Sequence, residues 1–257
     1  MLFRSFYCFA PLRDLPRLRH DWRNRLDALG VRGTIIFAPE GANGFLAGAP
    51  DSVRTALTDL RTLPGFSGLT AKESYSKEVP FGKLSVKLKK EIVTFRQDLP
   101  PAPTRRIAPG TLARWLDEGR DVVLLDTRNV YEVRLGTFAG AHAFAIDHFV
   151  EFAGLALPEE WKHKPVVTFC TGGIRCEKAA PYLASRGFTD VYQLEDGILG
   201  YFEKVGGRHW NGECFVFDQR IALGPDLAPT GARLCAHCQG PVPRARQECI
   251  HCGKPCP

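Results

Sequence analysis

The sequence predicts an α/β protein: an N-terminal ferredoxin-like α/β sandwich, a second domain built on a parallel sheet, and a small cysteine-rich zinc-knuckle tail. Three observations carry this. Over residues 1–98, extended and amphipathic stretches follow the order β-α-β-β-α-β, the split βαβ pattern. Over residues 107–212, short continuous apolar runs alternate with helical stretches, as strands buried on both faces of a parallel sheet do. Beyond Pro225, large apolar residues become scarce while Pro, Gly and Cys accumulate. A segment of that composition needs a metal in place of a core.

Residues 2–9 read as a strand. From Leu15, the apolar positions Leu15, Leu18, Trp22, Leu26 and Leu29 recur at three- and four-residue intervals, one face of a helix stopped by Gly30. Its other face carries Arg17, Arg19, Arg23 and Arg25. Val31–Ala38 is a strand, Pro39–Gly44 a turn, and Phe45–Ala47 the start of the return strand. A second helix near Asp51 turns Val53, Leu57 and Leu60 inward and ends by Pro64-Gly65. Lys72–Glu78 and Leu84–Phe95 are extended, and Leu84, Val86 and Leu88 alternate with polar residues as in a half-buried strand.

Residues 99–106, LPPAPTRR, form a stiff Pro-rich linker and the domain boundary. After it, a helix holds Leu112, Trp115 and Leu116, and Val122–Leu125 is a buried strand. Phe144–Ile146 is a short strand candidate and Phe149–Leu157 a helix candidate. Val166–Phe169 is a strand, followed by helix 175–186, strand Val191–Leu194 and helix 198–205. Residues 213–257 complete an extended segment and the tail, and 209–223 read as a turn with an extended pair.

The 257 residues fit two medium domains and an appendage. No apolar run approaches the roughly 20 residues that span a bilayer, and the start shows no secretory signal, so the expectation is no membrane and a cytoplasmic location. The net charge of +6 is uneven: residues 1–98 hold 16 Lys+Arg against 10 Asp+Glu, residues 99–224 hold 14 against 16, and residues 225–257 hold 4 against 2. A basic first domain suits a polyanion such as nucleic acid. Lys83, Lys87, Lys89 and Lys90 join the helix arginines as phosphate contacts, or all are simply solvated. Nine cysteines, an odd number with four in two CxxC pairs, argue against a disulfide framework and for metal ligation in a reducing compartment.

The sharpest local signal is the strand VVTF running into Cys170-Thr171-Gly172-Gly173-Ile174-Arg175 and a helix. A cysteine at the C-terminal end of a parallel strand sits where such sheets place ligands. The helix N-terminus and a nest of backbone N–H groups favour a thiolate there, and Arg175 can stabilise an anion. Cysteine phosphatases use Cys-x5-Arg, whereas this loop is one residue shorter, a size suited to a sulfur carried on the cysteine as a persulfide. Cys176 either resolves an oxidised Cys170 or packs inertly in the first helical turn.

These residues resemble a rhodanese domain over about 107–212. The match rests on Val122–Arg128 (VVLLDTR), Glu132, Gly136–Ala141 (GTFAGA), CTGGIR and Tyr192–Tyr201 (YQLEDGILGY). CTGGIRCEKA, PEGANGFLAG, SVKLKKEIVTF and FVFDQRIAL narrow the resemblance to the rhodanese-domain tRNA uridine hydroxylases, in which a ferredoxin-like domain precedes the rhodanese domain and a cysteine-rich tail follows. The resemblance implies oxygen-dependent formation of 5-hydroxyuridine at position 34 of tRNA, with molecular oxygen as co-substrate, an unidentified electron donor and the anticodon loop as partner. It makes Cys170 the essential cysteine and Arg175 the loop arginine. The sequence departs from the family where the usual Gly-Gly before the last helix reads Asp196-Gly197. No His-x-Asp or His-x-Glu iron signature and no GxGxxG flavin fingerprint occurs in the chain. Two other readings stay open: a persulfide sulfurtransferase serving a small acceptor or carrier protein, and a zinc-bearing RNA-binding protein with a rhodanese scaffold.

In the tail, Cys235-x2-Cys238 and Cys249-x2-Cys252, ten residues apart, have the spacing of a four-cysteine zinc site. His237, His251 and Cys256 are possible substitutes. A redox-active CxxC is the rival. Asp126 and Arg128 close the strand VVLL beside the pocket, either supporting the loop or forming a strand-end surface ion pair. Cys8, Cys214, Trp22, Trp115 and Trp161 read as core residues, and Trp210 as a candidate base-stacking platform.

Overall fold

A computed structural model of the chain describes residues 1–75, 81–99 and 105–256, which form two compact units, Met1–Thr94 and Phe95–Pro257. The first unit runs β1 (Leu2–Phe9), α1 (Leu15–Ala28), β2 (Arg32–Ala38), β3 (Gly41–Gly48), α2 (Pro50–Arg61), β4 (Ala71–Tyr75) and β5 (Leu84–Leu88). The sheet order β4-β1-β3-β2 is the ferredoxin-like arrangement, and β5 adds a fifth strand parallel to β2. Leu26, Ile35, Phe37, Leu46, Leu60 and Phe66 pack one core under both helices. Each contributes about 1.5–3 kcal/mol by leaving water.

The GANG stretch is strand, not turn. Ala38 already pairs with Gly41, so the hairpin is only Pro39-Glu40. Gly41 has φ 148°, and a side chain there would strike the Cys8 carbonyl. At Gly44 a Cβ would lie 2.7 Å from the Phe6 ring, which covers the bare backbone. Glycines in this strand mark close approach rather than a break. The extended reading of Leu84–Phe95 is also shortened, because β5 ends at Leu88. Residues 76–78 of the expected Lys72–Glu78 strand lie outside the described residues.

Phe95 belongs to the second unit, where its ring stacks 4.9 Å from Phe149 and meets Tyr182 edge-on at 5.4 Å. Residues 100–104 of the Pro-rich stretch lie outside the described residues. Its closing arginines are not linker. They open β6 (Arg105–Ile107), and Arg106 pairs with Glu177 at 2.6 Å.

The second unit continues with α3 (Pro109–Asp117), β7 (Val123–Asp126), α4 (Val130–Leu135), β8 (Gly136–Phe138), β9 (Val166–Phe169), α5 (Cys176–Ser185), β10 (Val191–Leu194), α6 (Gly197–Val205) and β11 (Trp210–Gly212). Strands β6-β10-β9-β7 form a parallel sheet, and β7 and β9 are wholly buried, as their apolar runs require. Residues 144–146 form no strand, since Ile146 N–H bonds instead to the Phe144 carbonyl in a turn. The expected helix from Phe149 is a 3-10 turn, Phe149–Gly154, with Gly154 and Pro158 preventing extension. Two short hairpins follow, β12 (Cys214–Phe215) with β13 (Ala222–Leu223), and β14 (Arg233–Leu234) with β15 (Pro241–Val242). Among the described residues no helix is long and apolar enough to cross a membrane.

Candidate active site and metal centre

Cys170 follows the last residue of β9 and is 1% exposed. Its sulfur accepts the Gly173 N–H at 3.1 Å, in a loop that Gly173 turns at φ 99°. The loop's carbonyls are also held. Ile198 N–H donates to the Cys170 oxygen at 3.0 Å and Leu199 N–H to that of Thr171 at 3.1 Å, so the α6 N-terminus braces the loop. This close approach requires Gly197, where a Cβ would lie 2.3 Å from the Cys170 oxygen. Asp196 adopts φ 58°, a left-handed conformation that Asp tolerates better than most residues.

Burial alone would raise the Cys170 pKa. A hydrogen bond from the Cys176 thiol, the Arg175 charge, and the Arg175 and Gly173 N–H groups outweigh it and lower the pKa to about 6. Cys176 moves the other way, because burial and the thiolate beside it hold it protonated. Cys176 is fully buried, with its sulfur 3.9 Å from the Thr127 hydroxyl.

Arg175 Nη2 donates to both oxygens of Glu132, at 3.0 and 2.8 Å. Burial opposes the guanidinium charge, but Glu132 and Cys170 hold it protonated. Glu132 is fully buried and also takes the Asn129 N–H at 3.2 Å, fixing the first turn of α4. The single Thr171 hydroxyl proton lies between two acceptors, Glu132 at 3.4 Å and the Phe215 carbonyl at 3.3 Å. Glu132 therefore organises the site. Glu132 was named only through the rhodanese resemblance, and the spacing Asn129-x-x-Glu132, a helix-capping pattern, is the local signal that places it.

Asp126 and Arg128 are not a surface pair, since both side chains are fully buried. Arg128 grips Asp126 through Nε at 2.9 Å and Nη2 at 2.6 Å, and Nη2 also donates to the Gly136 carbonyl. The pair ties β7 to the start of β8. Trp210 is core rather than a platform: it is 7% exposed, edge-on to Phe138 and Phe202. Trp22 and Trp161 are buried, Trp115 is half-buried, and Cys8 packs partly against the first core. Cys214 is fully buried, and burial pushes its pKa up to about 12.

In the tail, the sulfurs of Cys235, Cys238, Cys249 and Cys252 lie within 4.8 Å of one another, with Cys235–Cys252 at 3.8 Å and Cys238–Cys249 at 3.5 Å. Tetrahedral ligation with bonds of about 2.3 Å separates thiolates by roughly 3.8 Å, so the four fit one metal ion. Backbone N–H groups of His237, Gly240 and His251 point at three of the sulfurs, each at 3.4 Å. Cys256 lies beside the four, donating to Cys235 at 3.1 Å. The His251 ring is turned to Tyr131, 5.9 Å away. Arg134 Nη1 donates to the Ile250 and His251 carbonyls, anchoring the tail to α4.

These features define a class: an acylphosphatase-like domain followed by a rhodanese domain whose loop encloses a buried cysteine beside an arginine. Residues 1–92 match the UPF0176 acylphosphatase like domain, and residues 108–204 the Rhodanese-like domain. A tRNA uridine(34) hydroxylase of Cupriavidus metallidurans is 45% identical over 265 residues, covering 98% of this chain and 94% of that protein. One of Variovorax paradoxus is 51% identical over 238 residues, covering 88% and 90%. One of Thiobacillus denitrificans is 48% identical over 244 residues, covering 91% and 98%. The chain belongs to the tRNA uridine(34) hydroxylase family.

Proposed function

We propose that this protein is an oxidoreductase that hydroxylates C5 of uridine 34 in the anticodon loop of tRNA, using molecular oxygen, in the cytoplasm. The observation that carries the reading is the intact, thiolate-stabilising Cys170 loop in a chain that aligns almost end to end with named tRNA uridine(34) hydroxylases. One oxygen atom of O2 enters the C5–H bond and the other leaves as water, with two electrons from an external donor.

In this reading Cys170 is the catalytic nucleophile. A thiolate adding to C6 of the uracil ring makes C5 electron-rich and places negative charge on O4, and Arg175 stabilises that charge. Thr171, Gly172, Gly173 and Ile174 supply the loop that holds the sulfur, and Cys176 keeps it ionised. Asp126 and Arg128 fix the neighbouring strand end. Cys176 also serves as a resolving thiol. Peroxide converts Cys170 to a sulfenic acid, and Cys176 displaces water from it to leave a disulfide. Peptide mass mapping after peroxide treatment tests that link.

Zinc on Cys235, Cys238, Cys249 and Cys252 would be structural, holding a segment that has no larger core. The basic first unit offers a phosphate-binding groove of about 470 Å3, lined by Arg19, Arg23, Lys83, Lys87 and Lys89. Mass spectrometry of tRNA nucleosides from a deletion strain tests the whole reading. Loss of 5-hydroxyuridine, restored by wild type and not by Cys170→Ser, is expected. Unchanged 5-hydroxyuridine in a strain with no second route overturns it.

A further inference from the structure

The geometry points to Phe217 as the platform on which the target pyrimidine stacks at the mouth of the Cys170 loop. The inference rests on the functional reading above and adds the residue that captures the base.

Phe217 is 47% exposed, more than Phe9 at 37%, the other exposed phenylalanine among the described residues. A single exposed aromatic is ordinary. This one is presented by a built structure. It lies between β12 and β13, where Val216 N–H bonds to the Ile221 carbonyl and Ile221 N–H to that of Asp218. Arg220 clamps Asp218 through Nε at 2.8 Å, Nη2 at 2.7 Å and its own backbone N–H at 2.9 Å. Ile221, a β-branched residue, takes φ 62°. That conformation is strained for a β-branched residue and persists only where its surroundings enforce it. The clamped turn thus holds a large apolar ring out in solvent.

The ring also faces the chemistry. It meets Phe215 edge-on at 5.0 Å, and the Phe215 carbonyl accepts from Thr171 of the loop. The Arg175 guanidinium carbon lies 5.7 Å from the Phe217 centroid. Arg175 is 7% exposed, and its Nη1 has no hydrogen-bond partner among the described residues. A buried, charged donor left unpaired is costly, and it waits for an acceptor that the protein does not supply. A uracil stacking on the Phe217 ring brings its carbonyl edge toward the Arg175 guanidinium beneath, and a small shift of that side chain would turn the unpaired nitrogen to it. Every base has a face to stack, so the ring supplies affinity, and Arg175 selects a carbonyl edge.

The test uses the full-length chain and anticodon stem-loop RNAs carrying either uridine or an abasic site at position 34. Binding is measured by fluorescence anisotropy in oxygen-free buffer. Wild type is expected to favour the uridine RNA by on the order of 5- to 150-fold, the range of one stacked base. Phe217→Ala removes that preference while binding the abasic RNA as wild type does, and Phe217→Trp keeps it. Phe217→Ala retaining the preference overturns the platform, as does equal binding of both RNAs by wild type. If wild type binds them as expected yet forms no 5-hydroxyuridine when oxygen and a reductant are restored, the hydroxylase reading fails while base stacking stands.

Discussion

Arg175 and Glu132 form a buried ion pair in which one guanidinium nitrogen, Nη2, serves both carboxylate oxygens, at 3.0 and 2.8 Å. This leaves Nη1 unpaired at the Cys170 loop. Glu132 fixes the arginine through one nitrogen, so its charge is held beside the Cys170 sulfur.

Removing Glu132 strands that charge. Breaking one side of a buried pair typically costs about 3–5 kcal/mol, and Glu132 is fully buried. Glu132→Ala is expected to destabilise the second unit by that amount, read as faster hydrogen exchange of β7 and β9 amides in mild urea. Glu132→Gln should lose less. Unchanged exchange in the alanine variant would remove Glu132 from its organising role.

Burial raises the Cys170 pKa, but the Cys176 thiol, the Arg175 charge and two backbone N–H groups outweigh it and lower the pKa to about 6. Above pH 6 the thiolate predominates, and as pH falls through 6 the sulfur is protonated and loses nucleophilicity. The alkylation rate at Cys170, followed by peptide mass mapping, should therefore rise with pH to a midpoint near 6. Cys176 and Cys214 should stay unreactive there, since burial raises both. Arg175→Met and Cys176→Ala each remove a stabilising partner and should move the Cys170 midpoint upward. A wild-type midpoint near the ordinary thiol value of about 8.5 would contradict the loop's electrostatics.

Much of this site was legible in the sequence, for identifiable reasons. VVTF before Cys170 announced a buried strand, and the two glycines announced a loop that turns back on the cysteine, because both signals are local. The GANG segment misled because glycine usually breaks a strand, and only the Phe6 ring, distant in sequence, explains Gly44. Trp210 looked like a platform beside His209, yet Phe138 and Phe202 enclose it. The surface reading of Asp126 and Arg128 failed likewise, since burial of an i,i+2 pair depends on β8 folding across it. Phe217 gave no sequence signal, as its exposure comes from the Asp218–Arg220 clamp.

Metal removal should act locally. If the four thiolates hold one ion, the cysteine turns lose their centre without it, while the Arg134 contacts and the packing of Ala232 and Ile250 beside Leu135 and Tyr131 still tie the tail to α4. About one zinc per chain is expected by elemental analysis of anaerobically purified protein. Chelation should raise hydrogen exchange across residues 233–256 and leave β9 and β10 protected. Cys249→Ser should reproduce the effect. Protection in the tail that survives complete loss of metal would refute a structural ion.

The groove on the first unit makes a separable prediction. Arg19, Arg23, Lys83, Lys87 and Lys89 line it, and none has an ion-pair partner among the described residues. Arg17 and Arg25, on the same helix, instead face Asp21 and Asp59. These five cations, free of ion pairs, can displace counterions from an RNA backbone. Each phosphate contact contributes roughly 0.7–0.9 to the slope of log K against log salt. The double variant Arg23→Gln, Lys87→Gln should therefore weaken tRNA binding and flatten that slope by about 1.5. Arg17→Gln should do neither. Because such contacts act in ground and transition states alike, the double variant should raise KM and leave kcat unchanged. An unchanged salt slope would take tRNA off this groove, and a fall in kcat at saturating tRNA would show that the groove does more than hold it.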